Sequence, residues 1–235
     1  MASSVRSYLS ETRRPVYSAA LLLPFFAAYH LGTFLFGTTY VNGADALIVR
    51  LLSLLSVHSM FASALLLLLC FVLWQLKSRS SWKIEPGKVV GLFLESCFFA
   101  ALLFFITGWL SVHLSRPSSR PGPTGAIEKL VLYCGAGIYE ELVFRGFLLG
   151  LLLVVLIGPL RVKKVPAAFT AAILAALIFS TFHYVGPAAD SFSIASFLQR
   201  TLGGLYFSAL FVTRGFGVTA ASHALYDILV GLILA

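Results

Sequence analysis

Residues 16–36 form a stretch of 21 positions without a single Asp, Glu, Lys or Arg. Six more apolar runs follow it, over about 46–76, 88–113, 126–158, 166–184, 197–213 and 216–235. A helix that crosses a membrane needs roughly 20 apolar residues. Backbone in lipid must satisfy its own hydrogen bonds, which leaves helices or closed barrels, and no alternating barrel pattern is present. The expectation is an all-α polytopic transmembrane helical bundle of about seven spans, within a range of six to eight. Any active site would lie within the bundle.

Composition closes off the other classes. Hydrophobic residues make up 59% of the 235 and charged residues 11%, against about 25% charged in a soluble domain. The mean hydropathy is +0.94. A soluble fold of this size cannot hide so much apolar surface, and disorder needs the opposite composition. The net charge of +8 does not indicate nucleic acid, because the basic residues are scattered in short groups with no basic stripe. They fit loops that face anionic lipid on the cytoplasmic side. Alternate connections hold 11 Lys and Arg on one side and 5 on the other, which places the N-terminus in the cytoplasm. The first run follows Arg6, Arg13 and Arg14 but is longer than a signal-peptide core, so a retained helix is expected. Cys70, Cys97 and Cys134 lie in apolar runs without metal or redox spacing and read as buried thiols.

The breaks between runs are chemically distinct. Residues 78–81 are polar, and 115–123 carry Pro117, Pro121, Gly122 and Pro123 and cannot be helical. Gly158-Pro159 and Gly186-Pro187 end the fourth and fifth runs.

An ionisable residue inside a span is expensive and defaults to a functional hypothesis. The fourth run places Glu140, Glu141 and Arg145 in its middle. Glu141 and Arg145 are four apart and can pair along one helix face. Glu140 is rotated about 100° from that pair, so one carboxylate is left for another task. The fifth run ends with Phe179 and His183, and the seventh holds His223 and Asp227 four apart. Singly, each has a plain structural reading: an ion pair, an interfacial histidine, a His–Asp hydrogen bond. Together they come from three helices, and polar groups in lipid are stable only where they meet. Carboxylates and imidazoles that meet can bind a divalent metal or activate a water. His30, His58 and His113 have no partner at helical spacing and read as structural. Glu95 can pair with Lys88 or line a cavity, and Trp82 and Trp109 fit interfacial anchors.

These segments, E-E-x-x-x-R at Glu140, Glu141 and Arg145, F-x-x-x-H at Phe179 and His183, and H-x-x-x-D at His223 and Asp227, resemble the CPBP intramembrane protease family. That family is also called the CAAX prenyl protease 2 or Abi family. The resemblance covers about 126–235 and divides the chain into an N-terminal three-span region, 1–125, and a CPBP-like catalytic core, 126–235. It implies an endopeptidase with catalytic Glu140, His183, His223 and Asp227, supported by Glu141, Arg145 and Phe179. It also implies a substrate that is a membrane-anchored or lipidated protein or peptide. Family members are described both as metalloproteases and as metal-independent glutamate proteases. A divalent ion, zinc first, would take Glu140, His183, His223 and Asp227 as ligands; the glutamate mechanism needs no cofactor. Position 227 is filled best by Asn in that mechanism, since an ionised Asp cannot donate to an oxyanion.

The leading expectation is therefore a multi-pass integral membrane endopeptidase, in the plasma or inner membrane if bacterial. Its contacts are lipid and a membrane-bound substrate, not nucleic acid. A non-catalytic scaffold or immunity-type protein that binds another membrane protein is the alternative. A proton-coupled transporter is disfavoured because no inverted repeat is visible. One geometric demand follows from the topology. His183 and His223 sit at different nominal depths, so the fifth helix must stop short near Gly186, with 188–196 as irregular backbone along a water-accessible cavity. Glu140 and His183 should then approach within about 6 Å, a separation that one water or ion bridges.

Overall fold

The computed structural model describes residues 2–37, 41–59, 61–114, 125–186 and 189–233. The proline-rich 115–123 loop, Pro187 and the side chains of Trp109 and His113 lie outside the described part. The helices are α1 (Ala2–Glu11), α2 (Pro15–Phe36), α3 (Gly43–Ser53), α4 (Ala62–Ser78), α5 (Pro86–Leu114), α6 (Ala126–Glu141), α7 (Gly150–Ile157), α8 (Lys164–Phe182), α9 (Ile194–Arg214) and α10 (Phe216–Ile233). A π-helical stretch, Leu142–Leu149, joins α6 to α7 without a break. Among the described residues there is no strand. Taken singly, Pro15–Phe36, Pro86–Gly108 and Lys164–Phe182 are long and apolar enough to cross a membrane, and Ala62–Ser78 is a shorter apolar helix.

The seven runs thus do not become seven uniform spans. The second splits into α3 and α4, because the serine- and histidine-bearing segment after Ser53 leaves the helix and Ser56 takes a left-handed conformation at φ 61°. At 11 residues, α3 rises about 16 Å, half of a hydrocarbon core. The fourth run changes pitch at Leu142. Residues Ala2–Glu11, with Arg6, form α1, and Arg13 and Arg14 lie in the turn that leads into α2.

Helix α10 packs against α6, α5, α2 and α9 and is the centre of the bundle. Without a hydrophobic force between helices in lipid, close packing depends on small residues that let backbones approach. A Cβ on Gly137 would lie 2.5 Å from the carbonyl oxygen of Ala220, so α6 and α10 touch backbone to backbone. That contact sits one turn before Glu141 and one turn before His223. A Cβ on Gly204 would meet Ala176 at 2.9 Å, so α8 and α9 approach closely there; Ala171 and Ala175, buried four apart on α8, pack with Leu149 of the π-helical stretch and the leucines of α7. One buried core holds Tyr17, Leu21 and Tyr29 of α2 together with Ile138, Tyr139, Ala220 and Ala224. The N-terminal helices therefore share their core with α6 and α10.

A second ionic contact ties α1, α5 and α9 together. Glu95 pairs with Arg214 through both carboxylate oxygens, and Tyr8 and Thr12 reach the same group. Lys88, the partner expected for Glu95, binds Glu11 and Glu85 instead. Of the cysteines only Cys134 is buried; Cys70 and Cys97 are half-buried, and all three are free.

Candidate active site

The adjacent residues Glu140 and Glu141 face different surroundings. Glu141 is fully buried, and its Oε1 accepts from Arg145 Nη1 at 2.7 Å and from His223 Nδ1 at 2.7 Å. Arg145 also donates from Nη2 to the Gly204 carbonyl at 3.2 Å. The pair expected from spacing is present, and it extends to α9 and α10. The guanidinium lies 4.6 Å from the centre of the Phe179 ring and 5.5 Å from that of Phe207, contacts that favour a desolvated cation. Phe207 also stacks on His223, with centres 4.5 Å apart. Phe179 turns one face to Arg145 and meets His183 in a T-shaped contact with ring centres 5.0 Å apart. The contact is not saturated, since Glu141 Oε2 and Arg145 Nε have no hydrogen-bond partner among the described residues.

Glu140 is buried but less tightly held. Its Oε2 lies 4.0 Å from His183 Nε2 and 3.9 Å from His223 Nε2. His223 Nε2 lies 3.6 Å from Asp227 Oδ2. The four residues from three helices are brought together, with gaps slightly wider than a hydrogen bond. The second nitrogen of each ring is anchored. His183 Nδ1 bonds the Phe179 carbonyl at 3.0 Å, one of the last four carbonyls of α8, which lack helical partners. His223 Nδ1 bonds Glu141. A carbonyl and a carboxylate can only accept, so each Nδ1 carries a hydrogen. Both Nε2 atoms are turned toward Glu140.

His183 reaches this position because α8 ends at Phe182. His183 is the C-cap, and the chain turns through Gly186 at φ +98°, a left-handed conformation that suits glycine. The Asp190 N–H then bonds the His183 carbonyl at 2.8 Å, and Asp190 pairs with Arg200 of α9 at 2.6 Å. Residues 189–193 are irregular, but 194–196, expected to be irregular as well, already form the start of α9, and 188 lies outside the described residues. The cavity is another matter. One of about 250 Å³ lies between α4, the π-helical stretch and the start of α10, lined by Leu67, Phe71, Trp74, Leu142, Phe147 and Phe216. It is apolar, and none of the four polar residues lines it.

Asn42 is a site residue that sequence reasoning missed. Its Nδ2 donates to Glu140 Oε1 at 2.9 Å. Asn42 caps α3, and Asn followed by Gly, Ala and Asp is a legible helix start. Nothing in the sequence links that start to a carboxylate 98 positions later. His30 packs on Phe26 of its own helix, ring centres 4.4 Å apart, and meets Tyr139 Oη at 2.8 Å across the bundle.

The donor chemistry of Glu, two His and Asp suits zinc. The spacing does not: among the described residues no three His, Cys, Asp or Glu are grouped as a metal ion needs.

Residues 123–229 match the family model for the type II CAAX prenyl endopeptidase Rce1-like proteins. This segment resembles the Rce1-like family. The match contains all seven residues singled out by the three motifs, Glu140, Glu141, Arg145, Phe179, His183, His223 and Asp227. It leaves the first 122 positions, with Asn42, outside. By its description that family consists of CAAX-type prenyl endopeptidases, and three helices of this chain are long and apolar enough to cross a membrane. Neither the curated proteins nor the solved structures give a significant match.

Proposed function

We propose that the chain is a multi-pass intramembrane endopeptidase, N-terminus in the cytoplasm, that cleaves membrane-anchored or lipidated protein substrates with Glu140 as general base. One observation carries the reading: Glu140 Oε2 faces two imidazole Nε2 atoms across 4.0 and 3.9 Å, a gap fit for one bridging water. In this reading His183, neutral with its hydrogen on Nδ1, accepts one hydrogen of the water at Nε2. Glu140 takes the other as the water oxygen attacks the peptide carbonyl. The proton then passes from Glu140 to the leaving amine as the C–N bond breaks.

The oxyanion needs a donor, and Asp227 can only accept when ionised. Three carboxylates, those of Glu140, Glu141 and Asp227, surround His223 within 4 Å. They suit a ring with hydrogens on both nitrogens. His223 Nε2–H then supplies the donor that an Asn at 227 would give, and Asp227 keeps that hydrogen in place. Glu141 and Arg145 hold the helices in register.

The test is cleavage of a membrane-anchored peptide by purified protein in liposomes, wild type against Glu140→Gln. The variant is expected to lose about 10²-fold or more. Full activity in Glu140→Gln would remove the base and favour the scaffold alternative.

A further inference from the structure

We propose that Asn42, outside the Rce1-like segment, is a positioning residue that aims the Glu140 carboxylate. The inference rests on the reading of Glu140 as the base and adds a residue to it. Four contacts define its geometry. Asn42 Oδ1 accepts from the Ala44 N–H at 2.8 Å, the N-cap bond of α3. That bond settles the amide orientation, because the oxygen must face Ala44 and the Nδ2 hydrogens must face away. Nδ2 then donates to Glu140 Oε1 at 2.9 Å. The Asn42 N–H donates to Tyr29 Oη at 3.1 Å, and Tyr29 Oη–H donates to the buried Asp45 at 2.6 Å. The amide is held at its backbone and at its side-chain oxygen, so it presents Nδ2 at a set place.

The consequence falls on the other oxygen of Glu140. A carboxylate on a two-carbon stem has three torsions and no inherent aim. His183 and His223 both stand beyond hydrogen-bond reach of it. Among the described residues, Asn42 is the one side chain with a direct hydrogen bond to Glu140. Tying Oε1 to Asn42 leaves Oε2 turned to the two Nε2 atoms, where the reacting water belongs. Misplacing a reacting group by about 1 Å costs up to 10²-fold in rate.

The cap and the aim can be separated by substitution. Ser and Asp cap a helix about as well as Asn, whereas Ala does not; neither Ser nor Asp offers an amide hydrogen to Glu140. Asn42→Ser, Asn42→Asp and Asn42→Ala are compared in the full-length protein in liposomes on a membrane-anchored peptide, with kcat, KM and the unfolding temperature measured separately. Asn42→Ser is expected to lower kcat by about 10- to 100-fold, with KM and unfolding temperature close to wild type; Asn42→Asp, which sets a second carboxylate against Glu140, is expected to lose at least as much kcat and also to lower the unfolding temperature. Asn42→Ala is expected to lower kcat and the unfolding temperature together. Wild-type kcat in the Ser and Asp variants, or a loss confined to Ala, reduces Asn42 to a helix cap and overturns the proposal. Glu140→Gln, run in parallel, separates the two readings. If it is inactive while Asn42→Ser is fully active, only the role of Asn42 fails. If Glu140→Gln is active, the base and its positioning fail together.

Discussion

Two neighbouring carboxylates meet opposite conditions in this bundle. Glu141 accepts two charge-assisted hydrogen bonds at 2.7 Å, from an arginine and a histidine. Glu140 has one neutral amide at 2.9 Å and then two imidazole nitrogens at about 4 Å. The first arrangement is contracted, and the second is held slightly open. A buried charge that is already paired has little left to offer a substrate. A buried carboxylate with an aimed and unfilled oxygen can take a proton. The difference arises from a rotation of about 100° between successive helical residues, which sends Glu141 toward α10 and Arg145 and Glu140 toward α3 and the end of α8.

The largest effect should come from breaking the contracted side. Arg145→Ala leaves Glu141 buried with only His223 for a partner, and it is expected to cost roughly 3–5 kcal/mol of stability, read as a fall in unfolding temperature in detergent. Glu141→Gln with Arg145→Met should recover part of that loss, because matched removal of a buried pair is far less costly than removal of one member. A double variant as unstable as Arg145→Ala would break the assignment of Glu141 and Arg145 as partners.

The open side should respond in the opposite currency. Glu140→Gln is expected to abolish cleavage on the scale given above and to leave the unfolding temperature unchanged or higher, since an incompletely paired buried charge is being neutralised. If its unfolding temperature falls as far as that of Arg145→Ala, the two carboxylates do not differ in role. Asp227 tests the donor. Asp227→Ala is expected to lower kcat by about 10²-fold, the scale of a lost oxyanion donor, and Asp227→Asn by less, because the amide donates directly. Equal losses in both would remove the oxyanion from the account. The smallest effect is expected from chelation: prolonged treatment should leave activity within about twofold of the untreated protein, while a requirement for added Zn²⁺ would put a metal between the four side chains and change the role of Glu140 from base to ligand.

The outline of this protein was legible one residue type at a time. Long apolar runs determine helices, because lipid offers a backbone no other partner. Rare ionisable residues within those runs mark the site, because each must be matched. Glu141 with Arg145 could be read from spacing, since residues four apart share a helix face. Interruptions were harder. The π-helical stretch at Leu142 leaves no strong mark in an apolar sequence, where propensity is weak against packing, and the break between α3 and α4 is marked only by three serines and a histidine over 53–59.

Only the tertiary structure decided who meets whom. Spacing offered Glu95 to Lys88 and gave His30 no partner, yet Glu95 binds Arg214 and His30 binds Tyr139. Asn42 reaches Glu140 across 98 positions. Side-chain periodicity reports faces within one helix, whereas contacts between helices depend on their depth and rotation against each other. Here these are set by Gly137 against Ala220, by Gly204 against Ala176 and by the early stop of α8 before Gly186. The sequence determined that acids and histidines must meet inside a helical bundle. Close backbone contacts at a few small residues decided that Glu141 would be bound and Glu140 left open.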